Sequence, residues 1–137
     1  MAVGYWQTRA NGVMAYVPYE SARHATMLLV LVAFIFMSAA YGKSHLKKWL
    51  QNPFSIGVVL WSVGHLLANG KFAVVLIYSV LLGVAALDII NNITRGNKPS
   101  FDPIWRDDIK AVIVGVIVYA VLLFIFHPYV LGVAVVQ

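Results

Sequence analysis

Long apolar runs alternate with short polar stretches along the chain, and four runs are long enough to cross a bilayer: Ala25 to Tyr41, Phe54 to Asn69, Phe72 to Ile90 and Ile109 to Phe126. Each holds about 16–19 residues, which as α-helix is roughly 24–29 Å against a hydrocarbon core of about 30 Å. The pattern predicts an all-α, polytopic membrane protein, a bundle of four transmembrane helices. It divides the chain into an N-terminal arm, residues 1–24, and a membrane domain, residues 25–137.

The polar stretches carry signals for where the helices begin and end. Asn52-Pro53 offers a capping side chain followed by a proline at the first helical position, where a missing N–H costs nothing, and Asp102-Pro103 has the same form. Pro128 is expected to end the fourth helix after His127. Only Asn69-Gly70-Lys71 separates the second run from the third, so these two must fold back as a tight antiparallel hairpin. Between the first two runs, Ser44 can cap a short segment with Leu46, Trp49 and Leu50 on one face and Lys47 and Lys48 on another. That composition suits a helix lying among lipid headgroups, and an ordinary polar loop is the alternative.

Composition agrees with the pattern: 61% of residues are apolar, 11% are charged and the mean hydropathy is +0.83. Too few charges remain to coat a water-facing surface. With no cysteine, thiolate metal sites, iron–sulfur clusters and cysteine nucleophiles are excluded. The formal net charge of +5 comes from basic residues placed between apolar blocks, which points to anionic lipid headgroups and to no nucleic-acid role. Lys43, Lys47, Lys48, Arg95, Lys98, Arg106 and Lys110 fall on one side of the membrane, and Arg9, Arg23 and Lys71 on the other. The positive-inside rule therefore predicts both termini to be extracytoplasmic in an integral membrane protein, with a bacterial inner membrane the expected setting. Residues 1–15 lack the apolar core of a cleavable signal.

His24, His65 and His127 are far apart in sequence, yet four alternating spans bring all three to one membrane face, while His45 is alone at the other. Such a convergence suits a haem iron held by two imidazoles or a non-haem metal held by three, and it could serve proton transfer. Interfacial histidines that only bond headgroups and helix ends are the plainer alternative. Gly57, Trp61, His65 and Ala68 fall at spacings of four, four and three, so a flat-sided wall could press a porphyrin or polyene against the backbone; the same small residues also suit close helix packing. Asp88, near the inner end of the third span, reads as structural, pairing with Arg95 or reaching the interface. Asp102, Asp107 and Asp108 suit the positive end of the following helix. No phosphate loop, GxSxG elbow or HExxH is present, and no catalytic group is assigned.

The stretch Asn52-Pro53-Phe54 through Gly57-Val58-Val59-Leu60-Trp61-Ser62-Val63-Gly64-His65-Leu66-Leu67-Ala68-Asn69-Gly70 closely resembles the signature of the NnrU family of integral membrane proteins. Arg23-His24 with Thr26-Met27-Leu28-Leu29, Trp105-Arg106-Asp107-Asp108 with Val114-Gly115, and Phe126-His127-Pro128 with Leu131-Gly132-Val133 are similar to further family stretches, so the resemblance runs from about His24 to the end. It implies a link, through the family name, to nitric oxide and denitrification metabolism. It also implies kinship with the 15-cis-ζ-carotene isomerases, which are haem b proteins. By this resemblance His65, His127 and His24 match family histidines and are the expected ligands of haem b or another metal. Trp61 and Gly57 would line the cofactor pocket, and Asn69 would hydrogen-bond near the hairpin turn. Family members usually begin with two further helices that carry another histidine; a partner chain that supplies them, a misassigned start and an incomplete site are the alternatives this leaves open. Gln51 and Asn52 replace the Arg-His that often precedes the signature proline, which argues against the distantly similar membrane methyltransferases. The competing reading is a non-enzymatic accessory subunit packing against a larger membrane complex, with Gly57, Gly64, Gly83 and Gly115 marking contacts with partners.

Overall fold

Asn52 and Pro53 start their helix as their chemistry dictates: the Asn52 side chain accepts from Ser55 N (3.3 Å), and the proline takes the first position, where no N–H is needed. The computed structural model describes residues 13–133 and 135, so residues 1–12 of the arm, including the Arg9 of the charge count, lie outside the described residues. Among the described residues the chain forms α1 (Ala22–Ala39), α2 (His45–Leu50), α3 (Pro53–Ala68), α4 (Phe72–Thr94) and α5 (Trp105–Val121), the last running on as a π-helical segment, Leu122–Val130. α1, α4 and the continuous Trp105–Val130 helix are long and apolar enough to cross a membrane; α3, with 16 residues, is the shorter fourth.

Two capping signals act otherwise than the sequence reading has them, and helices outrun the apolar runs, α1 starting at Ala22 and α4 continuing past Ile90 to Thr94. Asp102 caps nothing: α5 starts at Trp105 behind Ile104, because Ile104 N donates to Lys43 O (2.8 Å) and ties the chain to the α1–α2 loop before it can turn helical. Pro128 does not stop the last helix, which continues to Val130. Over this stretch the bonds run five residues back, as from Leu131 N to Phe126 O (3.2 Å), and the wider turn accommodates a residue with no N–H to donate. Ser44 caps α2 as its position suggested, its Oγ accepting from Lys47 N at 3.0 Å, so the segment is a helix and not a loop.

α1 packs on both α3 and α5, and α3 also packs on α4, so the spatial order is α4, α3, α1, α5. Small residues allow this closeness. A Cβ at Gly57 would lie 2.6 Å from Met37 Cγ and 2.7 Å from Ala33 O, and one at Gly115 would lie 2.7 Å from both Ile35 Cα and Ile35 N. Thr26 Oγ1 donates to Gly64 O (2.8 Å) across the same α1–α3 seam. Among the described residues the buried apolar set is correspondingly small, Ala33, Ala39, Val74, Ala85, Ala111 and Leu123, while Leu76, Val80, Val84 and Leu87 of α4, Ile113 and Ile117 of α5 and Phe124 of the π-helical segment are exposed. Small residues inside and large apolar ones outside make a surface suited to lipid tails.

The end of the bundle that carries α2 is tied by carboxylates. Asp108, only 8% exposed, accepts from His45 N (3.0 Å) and Leu46 N (3.1 Å) and pairs with His45 Nδ1 (2.7 Å). His45 also stacks on Trp105 at 4.0 Å. Asp107 accepts from Lys43 N (2.8 Å). Asp88 does not pair with Arg95; it takes hydrogen bonds from Asn52 Nδ2 (2.7 Å) and Ser55 Oγ (2.5 Å), fastening α4 to the start of α3.

Candidate functional site

The other end holds the hairpin turn and the histidines. Asn69 shapes the turn, its Oδ1 accepting from Lys71 N (3.0 Å). The arm lies over this turn: Ala15 N donates to Gly70 O (2.7 Å), Phe72 N donates to Val13 O (2.9 Å), and Tyr16 OH donates to Leu66 O. A Cβ on Gly70 would run into the Tyr16 backbone, so the glycine of the hairpin is where the arm crosses.

Beside the turn, the His65 and His127 rings approach to 6.3 Å between centroids with planes 24° apart. Each ring is oriented by the backbone of its own helix. His65 Nδ1 is 2.9 Å from Trp61 O, and His127 Nδ1 is 2.6 Å from Leu122 O. A carbonyl can only accept, so in both rings Nδ1 carries a proton, which in a neutral imidazole leaves the lone pair on Nε2. The π-helical widening makes the second bond, because it places a carbonyl five residues back under the His127 ring.

An aromatic wall surrounds His65. Tyr78 of α4 stacks on it at 4.3 Å and 13°, and Trp61 meets Tyr78 edge-on at 5.4 Å and His65 edge-on at 5.7 Å. Phe34 of α1 closes the far side of Trp61 at 6.2 Å. Tyr78 and Phe34 were absent from the sequence-derived set; a depth count along the hairpin places Tyr78 within about a turn of His65 and could have found it.

His24 does not join the pair. It is exposed in the first turn of α1 and has no hydrogen bond or ring contact among the described residues. Thr26, two residues on, faces α3, and two helical positions are about 200° of rotation, so His24 points to the opposite side. Gly57 likewise packs against α1 instead of lining a pocket with Trp61: each step of four residues overshoots a turn by about 40°, so His65 stands about 80° round the helix from it. Among the described residues no three His, Asp or Glu side chains are grouped as a metal would require.

The family model described as NnrU protein matches residues 1–135. The chain belongs to the NnrU family. The match extends beyond the stretch from His24 onward that carries the legible motifs, and it takes in the arm that covers the hairpin. No curated protein and no solved structure matches the chain.

Proposed function

We propose that His65 and His127 hold a metal centre, haem b foremost, and that this NnrU-family membrane protein uses it in polyene isomerisation or nitrogen-oxide metabolism. The observation that carries the reading is the pair of Nδ1–carbonyl bonds, which leaves two Nε2 lone pairs in neighbouring rings. Metal-ligating histidines are commonly oriented this way, with the second ring nitrogen donating to a backbone carbonyl. A metal would be held between these two imidazoles, whose ring centres lie 6.3 Å apart. The ligand set thus narrows from three histidines to two, which suits haem better than a three-imidazole metal.

Haem iron, if held by His65 and His127, would supply reversible one-electron chemistry. The chain's own part is orientation and shelter. Trp61 O and Leu122 O hold the imidazoles in one tautomer, Tyr78 fixes the plane of His65, and Trp61, Tyr78 and Phe34 present flat apolar surface suited to an extended conjugated molecule.

The test is an oxidised-minus-reduced absorption spectrum of the detergent-purified chain, followed by a pyridine haemochrome assay. A b-type signal in near-stoichiometric amount is expected, mostly lost in His65→Ala and His127→Ala and retained in His24→Ala. A flat spectrum, or a signal indifferent to His65→Ala, overturns the reading.

One observation favours the accessory-subunit alternative: a Cβ at Gly83 would meet nothing within 4 Å, and among the described helices α4 packs only on α3, leaving a side for a partner helix. Gly57, Gly64 and Gly115 no longer support it, since each is filled from within the chain. Under that alternative the chain purifies only with its partners, and the imidazole variants leave cofactor content unchanged.

A further inference from the structure

A groove of about 430 Å³ opens at the α2 end of the bundle, between the α2–α3 corner and the last turns of α4. Its wall is apolar, made by Ile56, Ile89 and Ile93, and its rim is polar, with Gln51, Asn92 and Lys98. The wall runs out onto the lipid-facing surface: Ile93 is 67% exposed and its neighbour Ile90 is 56% exposed. At the rim, the side-chain amides of Gln51 and Asn92 and the ammonium of Lys98 have no hydrogen-bond or ion-pair partner among the described residues. Trp49 also lines the groove and is 66% exposed, the position of an indole at headgroup depth.

Charge decides the class of occupant. Lys98 lines the groove, and Lys48 and Arg95 are exposed beside its lining residues. No carboxylate lines it: Asp88, next to the lining Ile89, is engaged by Ser55 and by Asn52, itself a lining residue, so the charges left facing the groove are basic. A cationic rim above an apolar wall that opens to lipid matches an anionic amphiphile, with a phosphate at the rim and acyl chains along the isoleucines. A free anion would leave the apolar wall uncovered, and an apolar chain would leave the basic rim without a counter-charge.

We propose that this groove is a binding site for one anionic glycerophospholipid, its phosphodiester held by Lys98, Gln51 and Asn92 and its chains lying along Ile56, Ile89 and Ile93. The inference is independent of any cofactor at the histidine end.

The full chain is reconstituted in phosphatidylcholine nanodiscs containing a minor fraction of phosphatidylglycerol or phosphatidylcholine brominated on its acyl chains. Quenching of Trp49 is read as the difference between wild type and Trp49→Phe. Brominated phosphatidylglycerol should occupy the site about fivefold more effectively than brominated phosphatidylcholine, the ratio that corresponds to roughly 1 kcal/mol per basic residue at a membrane surface. Lys98→Glu, in an exposed loop where folding is not at stake, should abolish that preference, and Asn92→Leu should reduce it. Equal quenching by the two lipids, or a preference unchanged in Lys98→Glu, overturns the proposal. Loss of the preference on adding inorganic phosphate, but not chloride of equal ionic strength, overturns it in favour of a free-anion site.

Discussion

The two ends of the bundle each carry a histidine against an aromatic ring, and they treat it in opposite ways. At the α2 end, His45 stacks on Trp105 and gives its Nδ1 to Asp108, a carboxylate that also takes two backbone N–H groups. Every group there serves the fold, since the carboxylate caps a short helix that contains no acidic residue of its own and joins it to α5. At the hairpin end, His65 stacks on Tyr78, but its Nδ1 and that of His127 turn inward to carbonyls of their own helices. Those bonds connect no two elements. What they accomplish is orientation, which leaves Nε2 of each ring available. A polar group that ties elements together contributes to stability, whereas the Nδ1–carbonyl bonds of His65 and His127 tie no two elements, and it is on this contrast that the proposed cofactor role rests.

The comparison can be broken most directly at Asp108. Asp108→Ala leaves the N–H groups of His45 and Leu46 without their acceptor in a part-buried site, and should destabilise the fold by about 3 kcal/mol, given about 1–3 kcal/mol for each buried group left unmet. Thermal unfolding in detergent reads this, and a loss no greater than that of His127→Ala would remove the contrast. Asp88→Ala comes next, at about 1–2 kcal/mol, since it cuts two charge-assisted bonds between α3 and α4 at an exposed position. Here the expected sign is loosening of the α3–α4 hairpin, seen as faster amide exchange at the start of α3.

At the hairpin end the effects on stability should be smaller and the effects on chemistry larger. His65→Phe keeps a ring against Tyr78 and loses one hydrogen bond, so it should cost about 1 kcal/mol while removing the haem signal. A retained signal in a stable His65→Phe protein would deny that the two ends differ in purpose. Tyr16→Phe should have the least effect, under about 1 kcal/mol, because it frees only the arm from Leu66 O and Asn69 O. Limited proteolysis should then cut the arm sooner without altering the unfolding midpoint measurably.

Much of this architecture is legible in the residues. Asn52-Pro53 and Ser44 mark helix starts through their own side-chain chemistry, and the three polar residues between α3 and α4 leave no option but a hairpin. Asp102-Pro103 and Pro128 misled because a distant partner prevailed at the first and a change of helix type at the second. Lys43 O holds Ile104 N and delays α5, and the widened last turns carry Pro128 onward to Val130. At the candidate site, the convergence of His65 and His127 follows from counting spans, which yields depth along the membrane normal. The exclusion of His24, the withdrawal of Gly57 from the pocket and the entry of Tyr78 depend on rotation about each helix axis, a coordinate that depth does not contain.

The sequence by itself determined that this is an all-helical membrane protein of the NnrU family, with its helix order and the depth of its histidines, because hydropathy, caps and a short turn act locally. Only the tertiary structure decided which side chains meet at that depth. Rotation is set where Gly57 and Gly64 let α3 settle on α1, and where Gly115 brings α5 against Ile35. Those close approaches need all three helices present, so no single segment of the chain encodes the pairing of His65 with His127.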